Sequence, residues 1–247
     1  MEKDNSVTQW FGDNLAKLLA EKITSVYKEF DSESYIKSIK KECKDLSYSK
    51  RVELHAKRLR EFLPQPYPEA LQIVTSILGK ENPNETGMFT QYYWILPIGK
   101  FVETYGLEHF EISIHAIEEI TKRNTGEYAI RPFLKTYPQK TITVMQKWSK
   151  SKNFHLRRLA SEGCRPKLPW ATKLDVFIDE PEPVFAILAN LLADDVKFVQ
   201  KSVANNLTDY LKVNKPLAVA FIKKHRTSDN TNTQWIIKHA TRRIQIT

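Results

Sequence analysis

Glu127 lies in the most basic part of the chain and is the first residue whose type and surroundings could do chemistry. Residues 121–175 contain 13 basic side chains and only three acidic ones, namely Glu127, Glu162 and Asp175. An isolated carboxylate in such a setting can stabilise positive charge that develops in a transition state and can orient an attacking water. Asp209, in the segment ANNLTDY, lies in the other basic block, residues 196–247, which holds only two acidic side chains.

Each of these two acids also has an ordinary interpretation. Glu127 follows a Thr-Gly pair, where an acid at the N-terminus of a helix would interact favourably with the helix dipole. Asp209 could be an exposed acid on a helix. From the residues alone, the ordinary interpretation of Glu127 is the stronger one.

The charge of the chain is segregated, and this pattern indicates a polyanionic partner. The 247 residues carry 38 Lys and Arg against 29 Asp and Glu, a net charge of +9. Residues 1–120 sum to −4, 121–175 to +10, 176–195 to −5 and 196–247 to +8. Two basic blocks of this kind suit a phosphate-binding face, since each neutralised phosphate releases counterions. Judged from the charge pattern alone, basic helix faces that are simply exposed to solvent are an equally good explanation.

The chain lacks the sequence motifs that several classes of protein require. Cys43 and Cys164 cannot form a disulfide framework, and neither CxxC nor HExxH occurs, so we expect no metal. GxGxxG and GxxxxGK[ST] are absent, so we expect no nucleotide cofactor. No apolar stretch approaches the roughly 20 residues that cross a bilayer, and the N-terminus has no signal-like apolar region. We expect a soluble, cytoplasmic protein.

The elements that must position these residues are helices. Nearly every long segment has apolar residues at helical period, and alternating runs typical of strands are missing. Asp13 is expected to cap one helix and Ser34 to open another. Elements of 10 to 20 residues joined by short Pro-containing loops predict stacked antiparallel helix pairs.

A weak internal repeat in the C-terminal half refines this fold. Residues 156–160, 199–203 and 236–240 share an aliphatic residue, a basic residue two positions on and a small or aliphatic residue two beyond, at steps of 43 and 37. A period near 40 is typical of HEAT-like repeats, which stack into a curved solenoid with a concave face. In this register Arg158, Lys201 and Lys238 are equivalent and could form a basic ladder, although each could also be an ordinary exposed cation.

The string LRRLASEGCRPKLPWA at 156–171 is long and chemically unusual, and TGEYAIRPFL precedes it at 125–134 while SVANNLTDY follows at 202–210. Here the sequence resembles the AlkC-type DNA alkylation-repair glycosylases, relatives of the AlkD-type HEAT-repeat glycosylases. The likeness covers nearly the whole chain. It implies a single all-α, HEAT-like domain over 1–247, with N-terminal helices in 1–120, the site in 121–247, a concave basic face and no C-terminal immunoglobulin-like domain.

The resemblance also implies roles for individual residues. Glu127 matches the catalytic carboxylate of the family, which reverses the preference for a helix-terminal acid, and Asp209 matches a second carboxylate. Trp170 matches a tryptophan that lines the lesion site, where an indole face would attract a cationic base by about 2 kcal/mol. Loop tryptophans are otherwise usually packing residues.

Contacts with DNA are implied for a further set of residues. Arg158 and Arg165 match DNA-contacting arginines. Additional candidates for phosphate contacts are Arg157, Arg131, Lys201, Asn205, Asn206 and Lys238. Arg131 could equally pair with Glu127, and the two asparagines could equally pair helices.

The function implied is a DNA glycosylase that excises cationic alkylated bases such as 3-methyladenine, and also 3-methylcytosine, without flipping the base. Its partner would be double-stranded DNA with alkylated bases, and we expect a monomer without cofactor that associates with the nucleoid when bound. The main rival is a non-catalytic binder of bent or damaged DNA on the same scaffold. A protein-interaction scaffold with solvated basic faces is a second rival.

Overall fold

The computed structural model describes residues 7–87, 89–169 and 171–244, and every regular element in these ranges is helical. The chain forms two compact units. The first comprises residues 1–82 and 87–125, and the second comprises 83–86 and 126–247.

In its described residues the first unit contains a 3-10 helix at Val7–Phe11, a second 3-10 helix at Tyr93–Ile95 and seven α-helices. The α-helices are α1 (Asp13–Val26), α2 (Ser32–Glu42), α3 (Tyr48–Phe62), α4 (Tyr67–Ser76), α5 (Phe89–Tyr92), α6 (Leu96–Tyr105) and α7 (Phe110–Thr121). Helix α1 packs on α2, α3 on α6, and α7 on α4 and α6. Fully buried side chains such as Leu19, Leu59 and Phe101 form the core, each contributing about 1.5–3 kcal/mol by leaving water.

The starts of α1 and α2 differ by a few residues from the sequence prediction. Asp13 is the first residue of α1 rather than its cap, and its carboxylate pairs with Lys17 one turn later. The cap of α2 is Asp31, whose side chain accepts a hydrogen bond from the amide of Ser34. Ser34 therefore lies inside the first turn.

The part of the second unit that the structure describes holds eight α-helices. They are α8 (Arg131–Thr136), α9 (Pro138–Trp148), α10 (Phe154–Glu162), α11 (Asp175–Asp179), α12 (Glu182–Leu191), α13 (Lys197–Val213), α14 (Lys215–His225) and α15 (Thr231–Thr241). Helix α10 packs on α9 and α13, and α13 packs in turn on α14 and α15. Helices that follow one another along the chain therefore often pack against each other.

Helices α10, α13 and α15 are the three segments that the internal repeat aligned. Their aliphatic repeat positions, Leu156, Val199 and Ile236, are all buried. Because these helices pack in series, the repeat corresponds to real structural neighbours, and the prediction of an all-α fold of HEAT-like helical repeats is confirmed. None of the helices in the described ranges has the length and apolar character needed to cross a membrane.

Candidate active site

Glu127 lies in a turn before α8 and not in a helix. The turn is closed by a hydrogen bond from the amide of Ile130 to the carbonyl of Gly126, at 3.0 Å, and α8 begins only at Arg131. The Glu127 side chain is 13% exposed, and its Oε2 lies 2.6 Å from Nη1 of Arg158 on α10. The structure therefore gives this carboxylate an arginine partner, and the helix-terminal interpretation does not describe its position.

Arg158 begins a series of ion pairs that ends at Asp209. Its Nη2 is 3.6 Å from Oε1 of Glu162, and the same oxygen lies 2.7 Å from Nη1 of Arg165. The Nε of Arg165 donates to Oδ2 of Asp209 at 2.8 Å. Four residues predicted from sequence, Glu127, Arg158, Arg165 and Asp209, are thus brought into one network.

Glu162 is the member of this network that sequence reasoning did not select. Its carboxylate is buried, joins both arginines, and accepts a further hydrogen bond from the hydroxyl of Ser202 on α13 at 2.6 Å. A signal for it was present, since Glu162 follows Arg158 by four residues and precedes Arg165 by three. On a helix, residues at these separations are neighbours.

Glu162 and Asp209, the two buried carboxylates of the network, have pKa values shifted in opposite directions. Burial by itself raises the pKa of Glu162, but the charges of Arg158 and Arg165 outweigh it and hold this pKa below its ordinary value. Burial also raises the pKa of Asp209, and the hydrogen bond and charge of Arg165 only partly offset it. Asp209 therefore takes up a proton at a higher pH than an ordinary aspartate does.

Arg131 is 2% exposed, and its guanidinium donates to backbone carbonyls of the segment that follows α10. Nη1 bonds the carbonyls of Gly163 and Arg165, both at 3.0 Å, and Nε bonds that of Thr172, also at 3.0 Å. Burial lowers the pKa of this arginine to about 10. Arg131 thus holds the backbone at residues 163, 165 and 172, in contrast to the expected phosphate contact or pairing with Glu127.

Arg157 also differs from its expected role. Its Nε and Nη2 bind the two carboxylate oxygens of Asp194 at 2.6 and 3.2 Å, and Nη1 donates to the carbonyls of Ser151 and Lys152. Of the two adjacent arginines, only Arg158 faces the carboxylate network. The structure thus places the Arg157 guanidinium in helix and loop packing, which is not the phosphate contact that the resemblance implies.

Asn206 and Asn205 have different surroundings although they are neighbours on α13. Asn206 is fully buried, and its Nδ2 donates to the carbonyl of Ser161 at 2.7 Å, which joins α13 to α10. Asn205 is partly exposed and lines a cavity beside Asp209. Helix pairing is therefore the role that the structure gives Asn206, whereas Asn205 remains accessible.

Lys201 and Lys238 are exposed on α13 and α15. Arg158, their counterpart in the repeat, is mostly buried and lies with its guanidinium carbon 5.0 Å from the centroid of the Phe198 ring. The three cations thus lie on three helices that pack in series, but of the three only Arg158 is tied into the network. Trp170 lies outside the described residues. Within the described ranges, no His, Cys, Asp and Glu side chains gather in a group that could hold a metal ion.

The family described as "DNA alkylation repair enzyme" matches residues 50–244. The chain belongs to this DNA alkylation repair family. It is 36% identical over 235 residues to the uncharacterized protein YhaZ of Bacillus subtilis (strain 168), a match that covers 95% of the chain and 63% of YhaZ.

A solved structure is also similar to this member of the DNA alkylation repair family. It is the Pseudomonas fluorescens alkylpurine DNA glycosylase AlkC bound to DNA containing an abasic site analog, with a TM-score of 0.85 and 33% identity. The match covers 96% of the chain and 64% of AlkC, so the chain spans less than two thirds of either relative. The resemblance to AlkC-type proteins that the sequence predicts is confirmed.

Proposed function

We propose that the protein is a DNA glycosylase that removes alkylated bases from duplex DNA and leaves an abasic site. The observation that carries this proposal is the placement of two carboxylates, Glu127 and Asp209, in one network with Arg158 and Arg165. Membership of the DNA alkylation repair family and the similarity to AlkC support it.

The chemistry needs little more than a well-placed negative charge. When the N-glycosidic bond breaks, its electron pair leaves with the base and the sugar acquires oxocarbenium character. A base alkylated at a ring nitrogen is cationic and leaves as a neutral molecule, so no strong general acid is required. A water then adds to the sugar carbon and loses a proton. A carboxylate 4 Å from the positive sugar contributes about 4 kcal/mol at an effective dielectric of 20, or roughly a thousandfold in rate.

Glu127 is the carboxylate that we assign to this task. The ion pair with Arg158 fixes its position but also partly neutralises its charge. A DNA phosphate that draws the Arg158 guanidinium toward itself would restore the negative charge of Glu127 when substrate is bound. Asp209 is assigned as a second carboxylate, and because burial raises its pKa it loses its charge at a higher pH than an ordinary aspartate does.

The proposal extends to the substrates of the enzyme, the way in which it captures them, its oligomeric state and its compartment. The substrates are cationic adducts, 3-methyladenine and 3-methylcytosine, captured without extrusion of the base from the stack, in contrast to enzymes that flip their target nucleotide. Trp170 is proposed to favour the cationic base through its indole face. The protein is proposed to act as a cytoplasmic monomer on DNA.

The test is to incubate the purified protein with methylated duplex DNA and to identify any released base chromatographically. We expect wild type to release a methylated base under single-turnover conditions. The Glu127→Gln variant should lose this release, and the Asp175→Asn variant should retain it. Asp175 is an exposed acid of the same basic block. Binding of the same DNA without any release would contradict the proposal and select a non-catalytic binder of damaged DNA.

A further inference from the structure

A cavity of about 240 Å³ lies between the C-terminal ends of α13 and α15, beside the carboxylate network. Asp209 and Arg165 form part of its wall, so it adjoins the proposed active site. The remaining lining residues are Asn205, Thr208, Lys212, Ala240, Arg242, Arg243 and Ile244.

The walls of the cavity are strongly cationic. Four basic side chains, Arg165, Lys212, Arg242 and Arg243, face a single carboxylate, Asp209, which Arg165 already pairs. Over residues 7–87, 89–169 and 171–244, the structure gives the Lys212 ammonium and the Arg243 guanidinium neither a hydrogen bond nor an ion pair. These two cations are therefore free to bind an anion.

Two more groups in the cavity can donate hydrogen bonds. Among the residues that the structure describes, the guanidinium of Arg242 donates only from Nη1, to the carbonyl of His239, so its other N–H groups remain available. The amide of Asn205 has no hydrogen-bond partner in the part of the chain that the structure describes. Together with Lys212 and Arg243 they form a set of donors typical of sites for phosphate oxygens.

The chemistry of the lining discriminates among possible ligands. A cationic alkylated base would be repelled by four positive charges, and a nucleobase of any kind would need aromatic or apolar walls, of which only Ala240 and Ile244 are present. An anion with several acceptor oxygens satisfies the lining best.

We propose that this cavity binds a backbone phosphate of the damaged DNA strand next to the lesion nucleotide, through Lys212, Arg242, Arg243 and Asn205. The inference rests on the proposed glycosylase function. Because Arg165 and Asp209 belong both to the cavity and to the carboxylate network, a phosphate held here would fix the position of the adjoining sugar relative to the carboxylates. Lys212, Arg242 and Arg243 are thus positioning residues for the substrate.

The first experiment compares the Lys212→Ala variant and the Arg242→Ala/Arg243→Ala double variant with wild type in binding a duplex that contains an abasic-site analogue. Each lost charged contact is expected to weaken binding about tenfold and to lower the slope of log K against log salt by about 0.9. Lys223→Ala, an exposed cation of α14 outside the cavity, is the matched control and should bind like wild type. Equal binding by all four proteins would overturn the proposal.

The second experiment locates the phosphate. Each phosphate around the abasic site is replaced in turn by a neutral methylphosphonate. Wild type should lose affinity strongly at one position beside the lesion, and the double variant should no longer respond to that replacement. If wild type and double variant respond equally at every position, the cavity does not bind a phosphate there and the proposal is wrong. Thermal melting checks that the double variant is folded, and Arg243→Gln replaces it if it is not.

Inorganic phosphate from solution is the alternative ligand, because it offers the same acceptor oxygens as a DNA phosphate. Calorimetry with inorganic phosphate, together with unchanged DNA binding by the double variant, would assign the cavity to a free anion and overturn the DNA assignment. The glycosylase proposal is tested separately by base release. If wild type binds the abasic duplex but releases no base from methylated DNA, that proposal fails, while the methylphosphonate comparison still decides the role of the cavity.

Discussion

The Oε2 atom of Glu127 lies 2.6 Å from Nη1 of Arg158, although one residue comes from the turn before α8 and the other from α10. This contact ties the proposed catalytic carboxylate to the same helix that carries Glu162. Since Glu162 also binds Arg165, and Arg165 binds Asp209, the positions of both proposed carboxylates depend on two arginines. These arginines therefore have an internal role besides any contact with DNA.

Replacement of these arginines should separate the internal role from phosphate binding. Arg165→Ala and Arg158→Ala should each weaken binding to damaged and undamaged duplex alike, with the salt slope reduced by about 0.9 per lost contact. Arg158→Ala should in addition slow base release at saturating protein, because Glu127 loses the ion pair that fixes its position before the DNA binds. Fluorescence anisotropy over a salt series and single-turnover assays make these measurements. An unchanged salt slope in both variants would remove these arginines from the interface.

Arg131→Met should behave differently from both. Its loss leaves the carbonyls of Gly163, Arg165 and Thr172 without their buried donor, which costs about 1–3 kcal/mol for each group that water cannot reach. We expect a clear fall in the free energy of unfolding in urea, with the salt slope of DNA binding unchanged. A reduced salt slope in a variant of normal stability would restore the phosphate contact that the sequence suggested.

The contrast between Arg131, Arg157 and Arg158 shows how far the sequence alone can lead. Helical period and the repeat correctly predicted the neighbouring helices α10, α13 and α15, because these signals are local. Which arginine faces the carboxylates depends on distant partners, such as Asp194 for Arg157 and the carbonyl of Thr172 for Arg131. Net charge by segment cannot reveal such partners.

Glu162 illustrates a different limit. Its spacing from Arg158 and Arg165 is visible in the sequence and permits a pair on either side, but an exposed helix surface would show the same spacing. Burial of the carboxylate, and its hydrogen bond from Ser202 across the helix interface, are properties of the tertiary structure. The family resemblance selected Glu127 and Asp209 and did not extend to this link between them.

Gly163→Ala tests the packing behind the site. A Cβ at this position would lie 2.7 Å from Cγ2 of Ile130 and 3.1 Å from Cε of Met145, closer than packed atoms approach. Relief of this overlap must move the buried Ile130 side chain, or the backbone of α10 or of the turn before α8, at a cost of about 1–3 kcal/mol in unfolding free energy. Gly99→Ala in α6 is the control, since its Cβ meets only Ile120 at 4.0 Å, and it should be neutral or stabilising by about 0.5–1 kcal/mol. Equal urea midpoints for the two variants would contradict this account.

Glu162→Gln should destabilise the protein in a pH-dependent way. Because the folded-state pKa of Glu162 is held below its ordinary value of 4.5, its ionised form stabilises the fold above that pH, and this contribution is lost as pH falls through the lowered pKa. The gap in unfolding free energy between wild type and variant should therefore be largest near neutral pH and shrink below about pH 4.5. Glu180→Gln, an exposed acid, should show no such trend. A gap that stays constant down to acidic pH would argue that Glu162 stabilises through shape alone.

Glu127→Gln should nearly abolish release of the methylated base while DNA binding stays intact or becomes slightly stronger. Glutamine keeps the size of the side chain and can still accept a hydrogen bond from Arg158, but the negative charge that stabilises the oxocarbenium-like sugar is gone. Repulsion between this side chain and the DNA phosphates also disappears, and the Arg158 guanidinium becomes freer to bind phosphate.

From the Coulomb energy we expect Glu127→Gln to lose on the order of a hundredfold to a thousandfold in the rate of the chemical step, measured under single-turnover conditions so that product release does not mask it. Asp209→Asn should give a smaller loss, and Asp175→Asn none. If Glu127→Gln cleaves at the wild-type rate with the protein saturating the DNA, Glu127 is not the catalytic carboxylate and Asp209 takes its place.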